Sequence, residues 1–180
     1  MFTRNWYKAF GYAFRYGASN EETYKNTSNV NQYLNIPNQI SLFNLGYNYD
    51  GYCFPSLHKV RTDLNGFAGV IFGTGTTAPT LDDYFLSGEM ITTLIATSDV
   101  KNVHNDNGVE ITALYTITNT GSEAITIGEV GLISNLHAYN SNHYSYKCLI
   151  ERTVLDSPVT IPAGGVGQVT YTIRMNYPTA

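Results

Sequence analysis

Residues 109–118 alternate without a break: Val109, Ile111, Ala113, Tyr115 and Ile117 against Glu110, Thr112, Leu114, Thr116 and Thr118. Successive side chains of an extended chain point to opposite faces, so a period of two with one mainly polar face specifies a half-buried β-strand. Val169, Tyr171, Ile173 and Met175 repeat the pattern against Gln168, Thr170, Thr172 and Arg174. Residues 68–72 form a short apolar run that ends at Gly73, and residues 89–97 are mostly β-branched and apolar. Further strands are expected over residues 144–154 and 159–161, the latter closed by the turn Pro162-Ala163-Gly164-Gly165. Residues 119–122 supply another turn.

Residues 124–133 alternate with a slip, because Ile125 and Ile127 share one parity and Val130 and Leu132 the other. A bulge at Gly128 or Gly131 would restore the register. The one helical signal outside the N-terminal region is brief: Thr80 as N-cap, Asp82 and Asp83 in a first turn, and Gly88 as a stop. One or two helical turns are expected there. Short strands and turns without alternating helices predict an all-β fold, an antiparallel β-sandwich of immunoglobulin-like or jelly-roll-like type over residues 55–180. An extended N-terminal arm is expected over residues 1–54.

The arm has two parts. Phe2, Trp6, Phe10 and Phe14 recur every four residues with Tyr7, Tyr12 and Tyr16 between them, and residues 27–49 carry no charged side chain and no histidine. Charged residues make up only 13% of the chain, with a net charge of −4 and 15 tyrosines. About 25% charged is usual for soluble domains. A surface built from Thr, Asn, Ser and Tyr is colloidally weak when left bare, so coverage by other subunits is expected. Trp6, Phe10, Phe14, Tyr33, Leu34 and Ile36 are the residues expected to form an assembly interface. The competing reading lays the N-terminal segment across the domain's own core. The lack of basic excess argues against electrostatic nucleic-acid binding. No apolar run reaches 18 residues, so no membrane insertion is expected, and residues 1–16 do not read as a secretory signal.

Candidate chemistry is sparse. Gly73-Thr74-Gly75-Thr76-Thr77 lacks the lysine and the following helix of a phosphate loop, and is read as a tight loop leaving a strand. His58, His104, His137 and His143 are too loosely spaced for a zinc site, and Cys53 and Cys148 are read as buried thiols. Residues 99–108 are read as a hairpin turn closed by Asn107-Gly108 and not as a calcium loop. Ser56 and His58 are close in the chain, but Ser56 has no nucleophile elbow around it. No catalytic residue, metal ligand or cofactor is expected. The Tyr/Asn-rich residues 139–146 are a candidate loop for glycan or protein contact through Tyr139, Asn140, Asn142 and Tyr144, because aromatic faces stack on sugar rings while amides bond their edges. Protein contact is the preferred reading of such a cluster.

Three ordered segments carry a resemblance. They are residues 72–80 (Phe-Gly-Thr-Gly-Thr-Thr-Ala-Pro-Thr) with the acidic turn after them, residues 115–121 continuing through 125–132, and residues 149–154 continuing through 161–165 and 169–173. This order, over residues 68–175, is similar to small β-sandwich virion proteins of tailed bacteriophages, of tail, collar, fibre-attachment or capsid-surface type. The resemblance implies a non-enzymatic structural subunit at the tail or its attachment region. Its partners would be other copies of itself and other virion proteins, and its location the virion, after synthesis in the bacterial host cytoplasm. A capsid-surface or head-fibre decoration protein, a module that binds host surface glycan or a receptor, and a secreted adhesion domain with Cys53 and Cys148 bridged are the alternatives.

Overall fold

The computed structural model describes residues 1–5, 7, 23–33, 57–64, 68–105, 107–140 and 142–176. The strands are β1 (Thr23–Lys25), β2 (Asn31–Tyr33), β3 (Gly69–Gly73), β4 (Leu94–Asn105), β5 (Gly108–Asn119), β6 (Ile125–Asn140), β7 (Asn142–Ile161) and β8 (Val166–Asn176). They form two three-stranded antiparallel sheets, β3-β6-β7 and β4-β5-β8, and a small β1/β2 hairpin. Among the described residues no helix is long and apolar enough to cross a membrane.

The alternation of residues 109–118 becomes β5, the central strand of its sheet. Its odd positions Ala113, Tyr115 and Ile117 are fully buried. They meet Val70, Phe72, Ile127, Val130 and Leu132 of the other sheet in one hydrophobic core. The arrangement is therefore sandwich-like, with each sheet contributing one apolar face. The Phe72 and Tyr115 rings meet edge to face at 5.4 Å across that gap, and the Tyr115 hydroxyl donates to the Leu57 carbonyl at 2.8 Å. This bond satisfies the one polar atom that the ring carries into the core.

The two sheets differ in how they are covered. All five residues of β3 are buried. Val70 and Phe72 enter the main core, whereas Ile71 packs with Leu86 and Ile133 in a second cluster on the opposite face. A short continuous apolar run is what a strand buried on both faces requires. Residues 74–90 lie over that second face. The slip in residues 124–133 has the expected cause: the β6/β7 register shifts between Ile127 and Glu129, at Gly128. Ile127, Val130 and Leu132 consequently share the main core despite their parity, while Glu129 and Ile133 are buried on the other side. A Cβ on Gly128 would lie 2.5 Å from the Gly75 carbonyl oxygen, so only glycine allows this approach.

Several expectations need correction. Residues 79–86 form a turn and no helix. Asp83 takes both the backbone N–H and the hydroxyl of Thr80, at 2.9 and 2.7 Å, and its other role is to hold an arginine, so the turn stops after one cycle. The strand expected over residues 89–97 begins only at Leu94; before it, Met90 makes one isolated bridge to Gly73. Residues 99–105 belong to β4, Asn107 lies in a turn, and Gly108, at φ 156°, opens β5. β7 is continuous from Asn142 to Ile161 where two shorter strands were expected. Residues 139–140 and 142–146, expected in a loop, are the ends of β6 and β7, whose ladder runs out to Asn140 opposite Asn142.

The inward and outward sets of β5 give a direct test. Ile117→Ala should lower unfolding stability by about 3 kcal/mol through a core cavity. Thr116→Ala, one residue away on the outer face, should change it by less than about 0.5 kcal/mol. Urea unfolding midpoints measure both, and equal effects would refute the assigned faces.

Candidate functional site

The densest polar chemistry lies where residues 74–90 cover the β3-β6-β7 sheet. Glu129 sits on β6 just after the bulge and is fully buried. Arg152 on β7 is 1% exposed. Arg152 is opposite Gly131, which makes Glu129 its diagonal neighbour on the same face. The Arg152 Nε donates to Glu129 Oε2 at 2.6 Å, its Nη1 to Asp83 Oδ2 at 2.5 Å, and its Nη2 to the Thr77 carbonyl. All three nitrogens of the guanidinium fork are used.

Glu129 is saturated as well. Its Oε1 accepts the backbone N–H groups of Gly75 at 3.1 Å and Gly88 at 2.8 Å. Its Oε2 accepts the Ser87 N–H at 3.1 Å and the Ser87 hydroxyl at 3.2 Å. The glycine-rich loop is thus an anion cradle of the kind that successive backbone amides make, and the anion is the chain's own carboxylate. A Cβ on Gly75 would fall 2.2 Å from Glu129 Oε1, so the loop needs glycine for this closeness.

Burial pushes the Glu129 carboxyl upward, and the hydrogen bonds from Arg152, Gly88 and Ser87 outweigh it, leaving it below the ordinary carboxylate range. Asp83 follows the same logic: burial raises it, while the Thr80 backbone and hydroxyl and Arg152 bring it below its ordinary value. Both acids are held ionised against an arginine. With their lone pairs and donors filled, the chemistry of this cluster is attachment: it fastens residues 74–88 to the sheet.

A second polar knot lies on the opposite face. Glu151, next to Arg152, pairs with Leu132 and points into the main core. It accepts the Tyr171 hydroxyl from β8, and Thr153 Oγ1 at 2.7 Å. The Met1 ammonium also pairs with it. Burial, then the Glu151 charge, raises the Tyr171 phenol well above its ordinary value, so it stays a donor. Residues 1–3 run along the free side of β7. Thr3 N–H donates to the Ile150 carbonyl at 2.9 Å, Arg152 N–H donates to the Met1 carbonyl at 3.1 Å, and Phe2 bridges Glu151. Thr27 N–H reaches the Lys147 carbonyl at 3.0 Å, so the β1/β2 hairpin also touches β7.

The residues singled out from sequence fall elsewhere. Trp6, Phe10, Phe14, Leu34 and Ile36 lie outside the described residues, as does Cys53. Tyr33 ends β2, opposite Thr23. In the β6/β7 ladder Tyr139 is opposite His143, Asn140 opposite Asn142, and Tyr144 opposite Ala138. His58 lies in a turn and His104 is near the end of β4. Cys148 is buried, which raises its thiol well above the ordinary range. Among the described residues no group of three or more His, Cys, Asp or Glu is placed to hold a metal ion. A crevice of about 70 Å³ between Arg4, Lys25, Asn31 and the turn at Leu81 and Asp82 has room for a few waters.

Sequence reasoning missed Glu129, Arg152, Glu151 and Tyr171. The available signal was Gly-Glu-Val-Gly at residues 128–131 and Ile-Glu-Arg-Thr at residues 150–153. Charges inside apolar strands are conspicuous in a chain that is only 13% charged. No protein-family model, curated protein or solved structure matches the chain.

Glu129→Ala should leave the Arg152 Nε and the amides of Gly75, Ser87 and Gly88 without their acceptor in a buried site, and lower stability by about 3–5 kcal/mol, read from urea unfolding. The acid limb follows from the lowered carboxyls. The unfolded chain binds protons first as pH falls, so stability from Glu129 and Asp83 is complete above the ordinary carboxylate range and is lost as pH drops through their folded values. In Glu129→Gln the unfolding midpoint should depend less steeply on pH in that window, and an unchanged slope would refute the assignment.

Proposed function

We propose that this chain is a non-enzymatic structural subunit of a bacteriophage virion, of the tail or tail-attachment region. It would assemble through its N-terminal arm and the uncharged surfaces of an immunoglobulin-like or jelly-roll-like sandwich. The resemblance of residues 68–175 to small phage β-sandwich proteins motivates the reading. The observation that carries it is where the charges go. Arg152 is spent on Glu129 and Asp83, Arg4 on Asp82 at 2.7 Å, Arg174 on Glu110 at 2.5 Å, and Lys101 lies 3.6 Å from Asp99. The last two pairs lie on the outer face of β4-β5-β8, and around them that face carries threonine at Thr97, Thr112, Thr116, Thr118, Thr170 and Thr172, with Ile95 and Val166 exposed at one end. Such a face loses little on burial against another protein, because hydroxyls find partners readily and few bare charges must be desolvated.

Its partners are then other copies of itself and other virion proteins, and its location is the particle. A second reading, a host-glycan contact, draws on one observation. The β6/β7 ladder extends past Ile133, which faces the first residue of β3, and carries Tyr139, Asn140, Asn142 and Tyr144 beyond the third strand. Binding to a glycan array by a monomer would favour that reading.

The assembly reading is tested by light scattering on the purified chain after size exclusion. A mass of two or more chains is expected, and replacing Phe10 and Phe14 together with Ser should lower it. A strictly monomeric protein at every concentration would contradict the proposal.

A further inference from the structure

The β4-β5-β8 sheet has two edges, and they are not alike. Asn119 N–H donates to the Gly165 carbonyl at 3.0 Å, one step before the first residue of β8. Residue pairs in an antiparallel ladder alternate between bonded and non-bonded, so this bond sets the parity of the whole strand. Gly167, Val169, Tyr171, Ile173 and Met175 turn their backbone groups toward β5. Val166, Gln168, Thr170, Thr172 and Arg174 turn theirs away from it. Among the described residues nothing bonds to these outward groups.

Folded proteins usually protect such an edge with lysine, proline, a bulge or a covering segment. β8 runs for 11 residues with an unshifted register, no proline and one charged side chain, Arg174. The β4 edge is better protected: it carries Asp99 and Lys101, and Ser98 Oγ donates to the His58 carbonyl at 3.4 Å from a neighbouring segment.

We propose that β8 is an interaction surface for β8 of a second copy, antiparallel across a two-fold axis at Thr170, giving a continuous six-stranded sheet. This inference rests on the assembly reading and names the surface it uses. The strand is self-complementary in that register. Thr170 meets Thr170 of the second copy, Gln168 meets Thr172, and Val166 meets Arg174. Among the described residues, threonine pairs across neighbouring strands already bond through their hydroxyls, Thr112 with Thr172 at 3.3 Å and Thr126 with Thr160 at 3.0 Å. The two Arg174 side chains stand eight residues apart along the strand, about 27 Å, so they do not repel through physiological salt. Arg174 already pairs with Glu110 of its own sheet, which leaves no bare charge at the seam. The pairing supplies about ten backbone hydrogen bonds over a strip about 35 Å long. That strip is smaller than a standard interface, so the dimer is expected to be concentration-dependent.

The test uses the full chain and three substitutions at one position. Thr170→Lys sets two like charges against each other on the axis. Thr170→Pro removes an N–H that points away from β5, a place where an edge strand tolerates proline. Thr170→Cys places two thiols on residues facing each other about 5.5 Å apart, within disulfide reach. The expected result is a wild-type mass that rises to twice the chain mass with concentration. Thr170→Lys and Thr170→Pro should halve that mass without loss of the far-ultraviolet β signal, and Thr170→Cys should cross-link under oxidation where wild type does not. If Thr170→Pro misfolds, Thr170→Lys and the cross-link decide alone. An oligomer untouched by Thr170→Lys, with no cross-link, overturns the β8 seam and leaves assembly through the arm standing. A monomer at every concentration overturns both.

Discussion

The contact between Arg152 and Glu129 decides whether this chain has two layers or three. Without it, residues 74–88 would lose the one anchor that gathers both ends of the segment, and would lie on the sheet mainly through the packing of Leu86 and Phe85 against Ile71 and Ile133. With it, the backbone amides of Gly75, Ser87 and Gly88 converge on one carboxylate, and the arginine neutralises that carboxylate from the other side. A charge pair buried this deeply costs much desolvation, and it is stable only because every remaining donor and acceptor is also satisfied. Asp83 and the Thr77 carbonyl complete that set.

Neighbouring positions on β7 divide the work. Glu151 faces the main core and reaches across to Tyr171 of the other sheet, while Arg152 faces the covering segment. One dipeptide thus ties together both sheets and the segment above them. The buried charges are used for internal attachment, and the outer face of β4-β5-β8 carries its charges as the pairs Asp99/Lys101 and Glu110/Arg174 among threonines and a few aliphatic side chains. That division is the physical basis for reading the chain as a part of something larger.

Much of the fold was legible because strand physics is local. The alternation in residues 109–118 marks β5 with the correct inward face, and the parity slip between Ile127 and Val130 calls for a bulge at Gly128 or Gly131, of which the register shift falls at Gly128. The Thr80 turn was read as a helix start because a capping residue followed by acids carries the same local signature in both cases. What differs is Arg152, 69 residues away, which claims Asp83. The cradle was hidden for the same reason. Gly73-Thr74-Gly75 lacks the lysine of a phosphate loop, yet its Gly75 N–H does meet an anion, contributed by Glu129 from 54 residues along the chain. The Asn and Tyr residues around 139–146 suit both turns and strands, and only the ladder distinguishes the two.

Amide hydrogen exchange at Gly75, Ser87 and Gly88 tests the central claim most directly. If Glu129 and Arg152 clamp the covering segment, these three amides open only with the sheet and show protection close to that of Val130 and Leu132. They should lose it selectively in Glu129→Gln. Exchange at the rate of an exposed loop in the wild-type chain would contradict the account.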